Sequence, residues 1–521
     1  MKSKRGWFAR GCFSVPEMQP RTATTPVMVS VFCSTVSCLR SVPASPSPHH
    51  PRLPLVNVTS PTPFRGHMSS FTDVAVEEKQ LTVPHHTIPV TTAKLEEMAQ
   101  EFGTPFQLYD EAAIRQNARD LITAFSSKFP HFQQHFAVKA LPNPKILQIL
   151  MDEGCGLDCS STSELWIADK LNCPGDHVCF TSNFTSSADL LLAAKQGVLI
   201  NLDDVSLVQT LADVTADNVG FPELISFRLN PGEGRTDSTT KSNVLGGPDA
   251  KFGVAHFQIM DAYKKAIECG AKRFGIHMMT GSCVMSNTYW EESLGRMMDT
   301  VANIRSELNI EFEFINVGGG IGIPYKPDET CVGVEELASR MRTVWDAKLK
   351  EHGMPEPKLH MENGRYMTGP YGWLVARCHA IKRSYATYYG LDACMSNLMR
   401  PGMYGSYHHI TVPSKDKFAK NEIVNAATDS TIVETEYANI VGTLCENNDW
   451  FAKHRLTAKA DIGDLFVIHE TGAHAHSMGF QYNGKLRAPE LLLNSDGTTV
   501  DVIRERETIE CLYENCVYEN V

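Results

Sequence analysis

From about Thr104 to Met361 the chain repeats one pattern, a short apolar run followed by a longer stretch with room for a helix. The apolar runs are Phe136 to Lys139, Gly156 to Cys159, Val178 to Thr181, Val198 to Leu202, Leu224 to Leu229, Phe274 to Met278, Phe312 to Val317 and Lys358 to Met361. Runs this short and this apolar read as buried strands, and the segments between them, such as 144–150 and 187–194, carry apolar residues at helical spacing. Eight strands each followed by a crossover helix is the rhythm of a TIM-type (β/α)8 barrel, an α/β fold expected here over residues 104–372. After Trp373 the rhythm changes to strand-like runs separated by polar loops, including Ile432 to Leu444, Leu465 to His469 and Glu490 to Leu493. A second, mostly antiparallel β domain is expected there, built from residues 85–103 and 373–521.

Composition narrows the chemistry. The 521 residues are 42% hydrophobic and 21% charged, enough for two or three domains with proper cores. A net charge of -12 leaves no basic excess to neutralise phosphates, which argues against nucleic acid or an anionic membrane as partner and favours a small-molecule substrate. The 15 cysteines are scattered without zinc-site spacing, so reduced thiols and no metal are expected. Residues 1–72 stand apart: Lys2, Lys4, Arg5, Arg10, Arg21, Arg40, Arg52 and Arg65 face a single acid, Glu17, among many Ser, Thr and Pro. That composition is similar to an organelle transit presequence, with a disordered tail or a start at Met68 as the alternative. Its apolar part, Val27 to Leu39, is too short and too polar to span a membrane.

Three stretches carry chemistry. Lys139 ends the first barrel strand, just before the Leu141-Pro142-Asn143-Pro144 break, where an amine in an apolar pocket would have a lowered pKa and serve as a Schiff-base lysine. Gly318-Gly319-Gly320-Ile321-Gly322 follows the seventh strand, and Glu362-Asn363-Gly364-Arg365 follows the eighth. Those are the two positions at which such barrels often hold a phosphate, and bare glycine amides can approach one closely. The third glycine of a dinucleotide fingerprint falls on Ile323, which leaves a cofactor phosphate as the better reading.

With Gly156-Leu157-Asp158-Cys159-Ser160, Met399-Arg400-Pro401-Gly402-Met403-Tyr404-Gly405 and Leu444-Cys445-Glu446, these motifs stand in the order found in the barrel-fold pyridoxal-phosphate decarboxylases. The chain resembles that family from about Phe106 onward, and its last motifs look most like diaminopimelate decarboxylase. The resemblance implies that Lys139 holds pyridoxal 5'-phosphate, with Asp158, Met279, Ser282, Gly318, Gly319, Gly320, Glu362, Gly364, Arg365 and Tyr482 around it, Glu362 pairing with the pyridine nitrogen. It implies that Cys445 reaches across a homodimer whose active sites are shared and returns a proton to the α-carbon. Arg365, Arg400, Tyr404, Glu446 and Tyr482 would hold a distal end bearing both a carboxylate and an ammonium. The activity implied is decarboxylation of meso-2,6-diaminopimelate to L-lysine, for which the plastid is the favoured destination, ahead of mitochondrion or cytoplasm.

The chain also departs from the pattern. Met279 stands where the family has a histidine that stacks on the cofactor ring, and His277, two residues earlier, is expected on the opposite strand face. Asn363 replaces a proline, and Asn447-Asn448-Asp449 replaces Ser-Gly-Asp. These changes keep open a decarboxylase of ornithine, lysine, arginine or carboxynorspermidine, a racemase on the related scaffold, and a non-catalytic homologue that binds a partner protein.

Overall fold

The computed structural model describes residues 87–236, 244–330, 332–415 and 434–517, and the presequence expected over 1–72 lies outside them. Every strand and helix named below lies within the unit Glu77–Val521. Its strands, in chain order, are β1 (Phe106–Asp110), β2 (Gln133–Ala137), β3 (Gly156–Cys159), β4 (Val178–Thr181), β5 (Leu199–Leu202), β6 (Leu224–Asn230), β7 (Val254–Ala255), β8 (Arg273–Met278), β9 (Phe312–Asn316) and β10 (Lys358–Met361). After these come β11 (Gly372–Arg383), β12 (Thr387–Leu391), β13 (Ile410–Thr411), β14 (Thr435–Val441), β15 (Trp450–Ala458), β16 (Leu465–Ile468), β17 (Glu490–Leu493) and β18 (Val500–Arg504).

All eight apolar runs form parallel strands, ordered β5-β4-β3-β2-β10-β9-β8-β6 and closed by β5 pairing with β6. The closure follows from the sequence pattern. Strands buried on both faces, as in β3 with all four residues buried, need covering helices, and the helices carry matching apolar stripes. Helix Ile259–Cys269 buries Ile259, Ala262, Tyr263 and Ala266, an i, i+3, i+4, i+7 set, and stops at Gly270 in the left-handed region. Helix Pro144–Asp152 begins with proline at its first turn and the Asn143 side chain capping the Lys145 amide, which ends the Lys139 segment sharply.

The second sheet runs β15-β14-β12-β11-β1-β17-β18, with β16 and β13 extending from β11. It is mostly antiparallel; β1 with β17 and β12 with β14 are its parallel pairs. One face buries Leu95, Met98 and Ala99 of helix Thr92–Phe102 against Phe106, Trp373, Val467 and Leu491. One boundary shifts: Phe106–Asp110, expected within the barrel, is a strand of this sheet, paired with β11 and β17. Among the described residues no helix is long and apolar enough to cross a membrane, and every described cysteine is a free thiol.

A single node locks the two sheets together beside the Lys139 loop. Glu490 of β17, fully buried, accepts from Tyr109 Oη of β1 (2.7 Å), Asn143 Nδ2 (2.9 Å) and Arg504 Nε of β18. The node therefore fixes the point where the chain leaves the first barrel strand.

Candidate active site

Lys139 lies two residues beyond the end of β2, in a short 3-10 turn spanning Val138–Ala140. Its side chain opens toward solvent at the barrel mouth (53% exposed) while Nζ sits 2.9 Å from Asp158 Oδ2 on β3. Asp158, Cys179 and Glu362 each bring an atom within 4.8 Å of the other two. The amine, its nearest acid and the acid of the eighth barrel strand thus share one location. Gly364 closes it from the other side: a Cβ there would lie 2.9 Å from Ala140 Cβ and 3.2 Å from Ala137 Cβ.

The electrostatics correct one expectation. Although the side chain opens to solvent, the protein crowding Nζ sheds part of its water and would lower the amine; Asp158 and Glu362 outweigh that and hold it above the ordinary lysine value, so it is protonated rather than primed as a free base. Burial pushes the Asp158 carboxyl up to about 7, helped by repulsion from Glu362. Burial also opposes charge on Glu362, yet His277, Lys139 and His135 together keep it well below the usual carboxylate range. Of the two acids, Glu362 keeps the negative charge and Asp158 is the one that takes a proton.

Glu362 is held by a polar layer at the top of the barrel core. Oε1 accepts from Asn316 Nδ2 (2.7 Å) and lies 3.5 Å from Cys179 Sγ, and Oε2 lies 2.9 Å from His277 Nε2. His277 therefore points into the barrel, and the expectation that it lies on the strand face opposite Met279 does not hold, because residues i and i+2 of a strand share a face. Asn316 also uses its Oδ1 to receive the Gly318 amide (2.9 Å), which ties the carboxylate to the glycine loop.

That loop is shaped by contacts that exclude side chains. Gly318 (φ 70°) and Gly320 (φ 112°) occupy the left-handed region, and a Cβ on Gly319 would run into the Glu362 carbonyl oxygen. A Cβ on Gly318 would lie 3.0 Å from the Met279 sulfur, so Met279 flanks the loop where the sequence pattern placed it. Ser282 follows on the neighbouring segment, where the Val284 amide donates to the Gly320 carbonyl (2.9 Å). Asn363 occupies the proline position to structural effect. Fully buried, it exchanges hydrogen bonds with Gln134 of β2, 3.1 Å each way, and its Oδ1 accepts from the Ile321 amide at 3.4 Å.

Arg365 and Arg400 are both buried and converge on one atom. Each donates to Tyr325 Oη, Arg365 Nη1 at 2.5 Å, and Arg400 Nη2 also reaches Ser406 Oγ at 3.4 Å. Among the described residues no carboxylate is bonded to either guanidinium, and Arg365 Nε has no partner. Burial and then repulsion from Arg365 lower Arg400. Two buried cations beside each other without an acid form a receptor for an anion.

The remaining expected residues sit elsewhere on this chain. Cys445 is exposed; its amide donates to Asn483 Oδ1 (2.7 Å), and Tyr482 Oη approaches its carbonyl at 3.5 Å. Glu446 is also exposed and accepts from the Asn448 amide (3.0 Å). Tyr404 ends the short helix Arg400–Tyr404 with its ring partly exposed. Cys445 and Tyr482 thus meet at the surface, with Glu446 exposed beside Cys445 in sequence. Tyr325 and Asn316 belong to no binding motif of the sequence, although Tyr325 lies in the loop after the seventh barrel strand, where barrel enzymes carry functional groups. At the opposite end of the barrel a cavity of about 550 Å3 is lined by Arg273, Lys358 and His360, and none of the groups above reaches it.

The site fits pyridoxal phosphate. The glycine loop is a cradle with no room for Cβ atoms, and a carboxylate such as Glu362 has acceptor capacity beyond its three neighbours for a ring N–H. Asp158 Oδ1 is buried without a partner next to the lysine. Comparison with known proteins agrees. Residues 114–369 match the model of the pyridoxal-dependent decarboxylases, in its pyridoxal-binding domain. Protein TabA of Pseudomonas amygdali pv. tabaci is 39% identical over 80% of this chain and 92% of its own. Diaminopimelate decarboxylase of Methanothermobacter thermautotrophicus is 35% identical with the same coverage, 80% and 92%. Among solved structures, diaminopimelate decarboxylase of M. jannaschii in complex with L-lysine superimposes with a TM-score of 0.71 at 30% identity, covering 81% of this chain and 94% of that one. The chain belongs to the barrel-fold pyridoxal-dependent decarboxylases, in the company of the diaminopimelate decarboxylases.

Proposed function

We propose that this protein decarboxylates meso-2,6-diaminopimelate to L-lysine and carbon dioxide, as a homodimer with pyridoxal phosphate as cofactor. The observation that carries the substrate choice is the pair of buried, acid-free guanidiniums of Arg365 and Arg400. An ornithine-type substrate ends in an ammonium and would be repelled there, whereas diaminopimelate ends in a carboxylate. Similarity to diaminopimelate decarboxylases over four-fifths of the chain supports the same reading.

In that reading Lys139 holds the cofactor covalently through Nζ, and Gly318, Gly319, Gly320, Ser282 and the backbone at Gly364 and Arg365 hold its phosphate. When bound, pyridoxal phosphate supplies the electron sink that accepts the pair released as the α-carboxylate leaves. Glu362, kept ionised by His277, holds a proton on the ring nitrogen. Asp158, 2.9 Å from Lys139 Nζ, holds that nitrogen in place, and Met279, beside the glycine loop, would offer its polarisable sulfur to the cofactor ring. Arg365 and Arg400 orient the substrate by its far end. Cys445 of the partner subunit returns the proton to the α-carbon, and the exposure of Cys445 and Tyr482 on one chain fits a group presented to a neighbour.

The test is carbon dioxide release from purified protein with diaminopimelate, ornithine, lysine, arginine and carboxynorspermidine; turnover of ornithine but not diaminopimelate overturns the assignment. A racemase would invert the α-carbon without gas release. A non-catalytic homologue would stay colourless with cofactor. Lys139→Ala and Cys445→Ala proteins, each inactive, should regain about a quarter of wild-type activity when mixed as dimers that shuffle subunits. For localisation we propose plastid import directed by residues 1–72, supported by their basic, acid-poor composition. A fluorescent fusion that stays in the cytosol overturns that.

A further inference from the structure

We infer that Tyr325 is a specificity-determining residue: its phenol is the third donor, with Arg365 and Arg400, to the distal carboxylate of the substrate. The inference rests on the diaminopimelate reading and extends it to a residue that the cofactor and substrate motifs do not include. The argument begins with hydrogen-bond capacity. A phenol oxygen offers two acceptor positions and one proton. Here both acceptor positions are taken by buried guanidiniums, from Arg365 Nη1 and Arg400 Nη1. What remains is the O–H, and among the described residues no acceptor is bonded to it.

The tyrosine is also fixed in place. Its ring lies 4.9 Å from the Arg400 guanidinium and 5.8 Å from that of Arg365, and His408 packs edge-on at 5.0 Å. Its amide donates to Glu329 Oε2 (2.9 Å), as does that of Lys326 (3.2 Å), which pins the loop. The residue is 7% exposed, so water competes weakly for the phenol. A phenol that accepts from two cations is polarised toward donation. The group it can best donate to is an anion that also binds the two arginines, a carboxylate. Tyr325 leaves the same loop that carries Gly318–Gly320 only a few residues earlier, so cofactor phosphate and distal carboxylate are gripped by one segment.

The experiment compares wild type with Y325F as pyridoxal-phosphate holoenzymes. It measures kcat and KM for meso-diaminopimelate, the inhibition constant of cadaverine, the five-carbon diamine that lacks the distal carboxylate kept by both diaminopimelate and L-lysine, and direct binding of diaminopimelate and cadaverine to the Lys139→Ala background. Loss of one hydrogen bond to a charged group should raise KM for diaminopimelate about tenfold to a hundredfold. The cadaverine constant should stay within about twofold of wild type. An unchanged KM, or equal weakening toward both compounds, overturns the inference. If wild type binds diaminopimelate without turning it over and Y325F loses the preference over cadaverine, the inference stands and the assigned reaction falls. If wild type neither binds nor converts it, both fall. Tyr325→Leu gives the same comparison should Y325F not fold.

Discussion

Replacing Glu490 by glutamine tests whether the node beneath the Lys139 loop is a structural keystone. The carboxylate is fully buried and accepts from Tyr109, Asn143 and Arg504, with His476 Nδ1 at 3.9 Å. Glutamine keeps the shape but turns one oxygen into an NH2, which must face at least one of those donors. Leaving a buried donor unsatisfied costs about 1–3 kcal/mol. Removing one partner of a buried ion pair costs about 3–5 kcal/mol, but Arg504 is 38% exposed and recovers water, so that figure is discounted. The expected loss is about 3 kcal/mol, a sizeable part of the ~5–15 kcal/mol that holds a typical domain. Linkage supplies an internal control. Burial would raise the Glu490 carboxyl, but His476 and Arg504 hold it below the usual value, so its contribution is complete above the unfolded carboxylate value and fades as pH falls through the folded one. In urea unfolding, the gap between wild type and E490Q should therefore stay constant from pH 7 to about 5 and narrow only below about pH 4.5. A gap under about 1 kcal/mol at pH 7, or one that widens on acidification, refutes the keystone reading.

Three further outcomes are expected at the site. In Asp158→Asn, Lys139 loses its nearest acid, so its amine should move down; an amine-reactive probe at pH 8 should label Lys139 faster in cofactor-free D158N than in wild type. In Gly319→Ala the new methyl meets the Glu362 carbonyl, and pyridoxal-phosphate affinity, read by absorbance titration, should fall at least about tenfold with the fold intact by circular dichroism. Arg400→Ala removes one cation of the pair, so KM for diaminopimelate should rise by about a hundredfold or more, and an unchanged KM would place the distal carboxylate elsewhere.

What the sequence made legible came from local periodicity. Each barrel strand had to be buried on both faces, so its apolar run showed, and motif spacing then put Lys139, the glycine loop and Glu362 at neighbouring strand ends. Phe106–Asp110 escapes such reading because a strand's pattern says nothing about which sheet it joins; its partners lie near residues 374 and 491, hundreds of positions away. The lysine's charge escapes it for a related reason. Desolvation can be read from an apolar run, but the two acids that reverse it arrive from β3 and β10. Tyr325 is invisible in the sequence because nothing in a lone tyrosine shows that two arginines, 40 and 75 residues further on, end on its oxygen.

The departures from the family pattern leave the site intact for physical reasons. A proline before Gly364 would stiffen the turn through its fixed φ. Asn363 reaches a similar end by bonding, since its side chain joins Gln134 on the first barrel strand to Ile321 in the glycine loop. The segment carrying Glu362 is thereby braced from both sides, and Asn316 links the carboxylate itself to Gly318. A ring-stacking histidine is absent at Met279, but the histidine two residues before it is turned into the barrel and secures the charge of Glu362. The function that must survive in any decarboxylase of this kind is an ionised acid held rigidly against a glycine cradle beside a lysine. This chain builds that arrangement from amides and an inward histidine, which is why altered motifs and an intact site coexist in it.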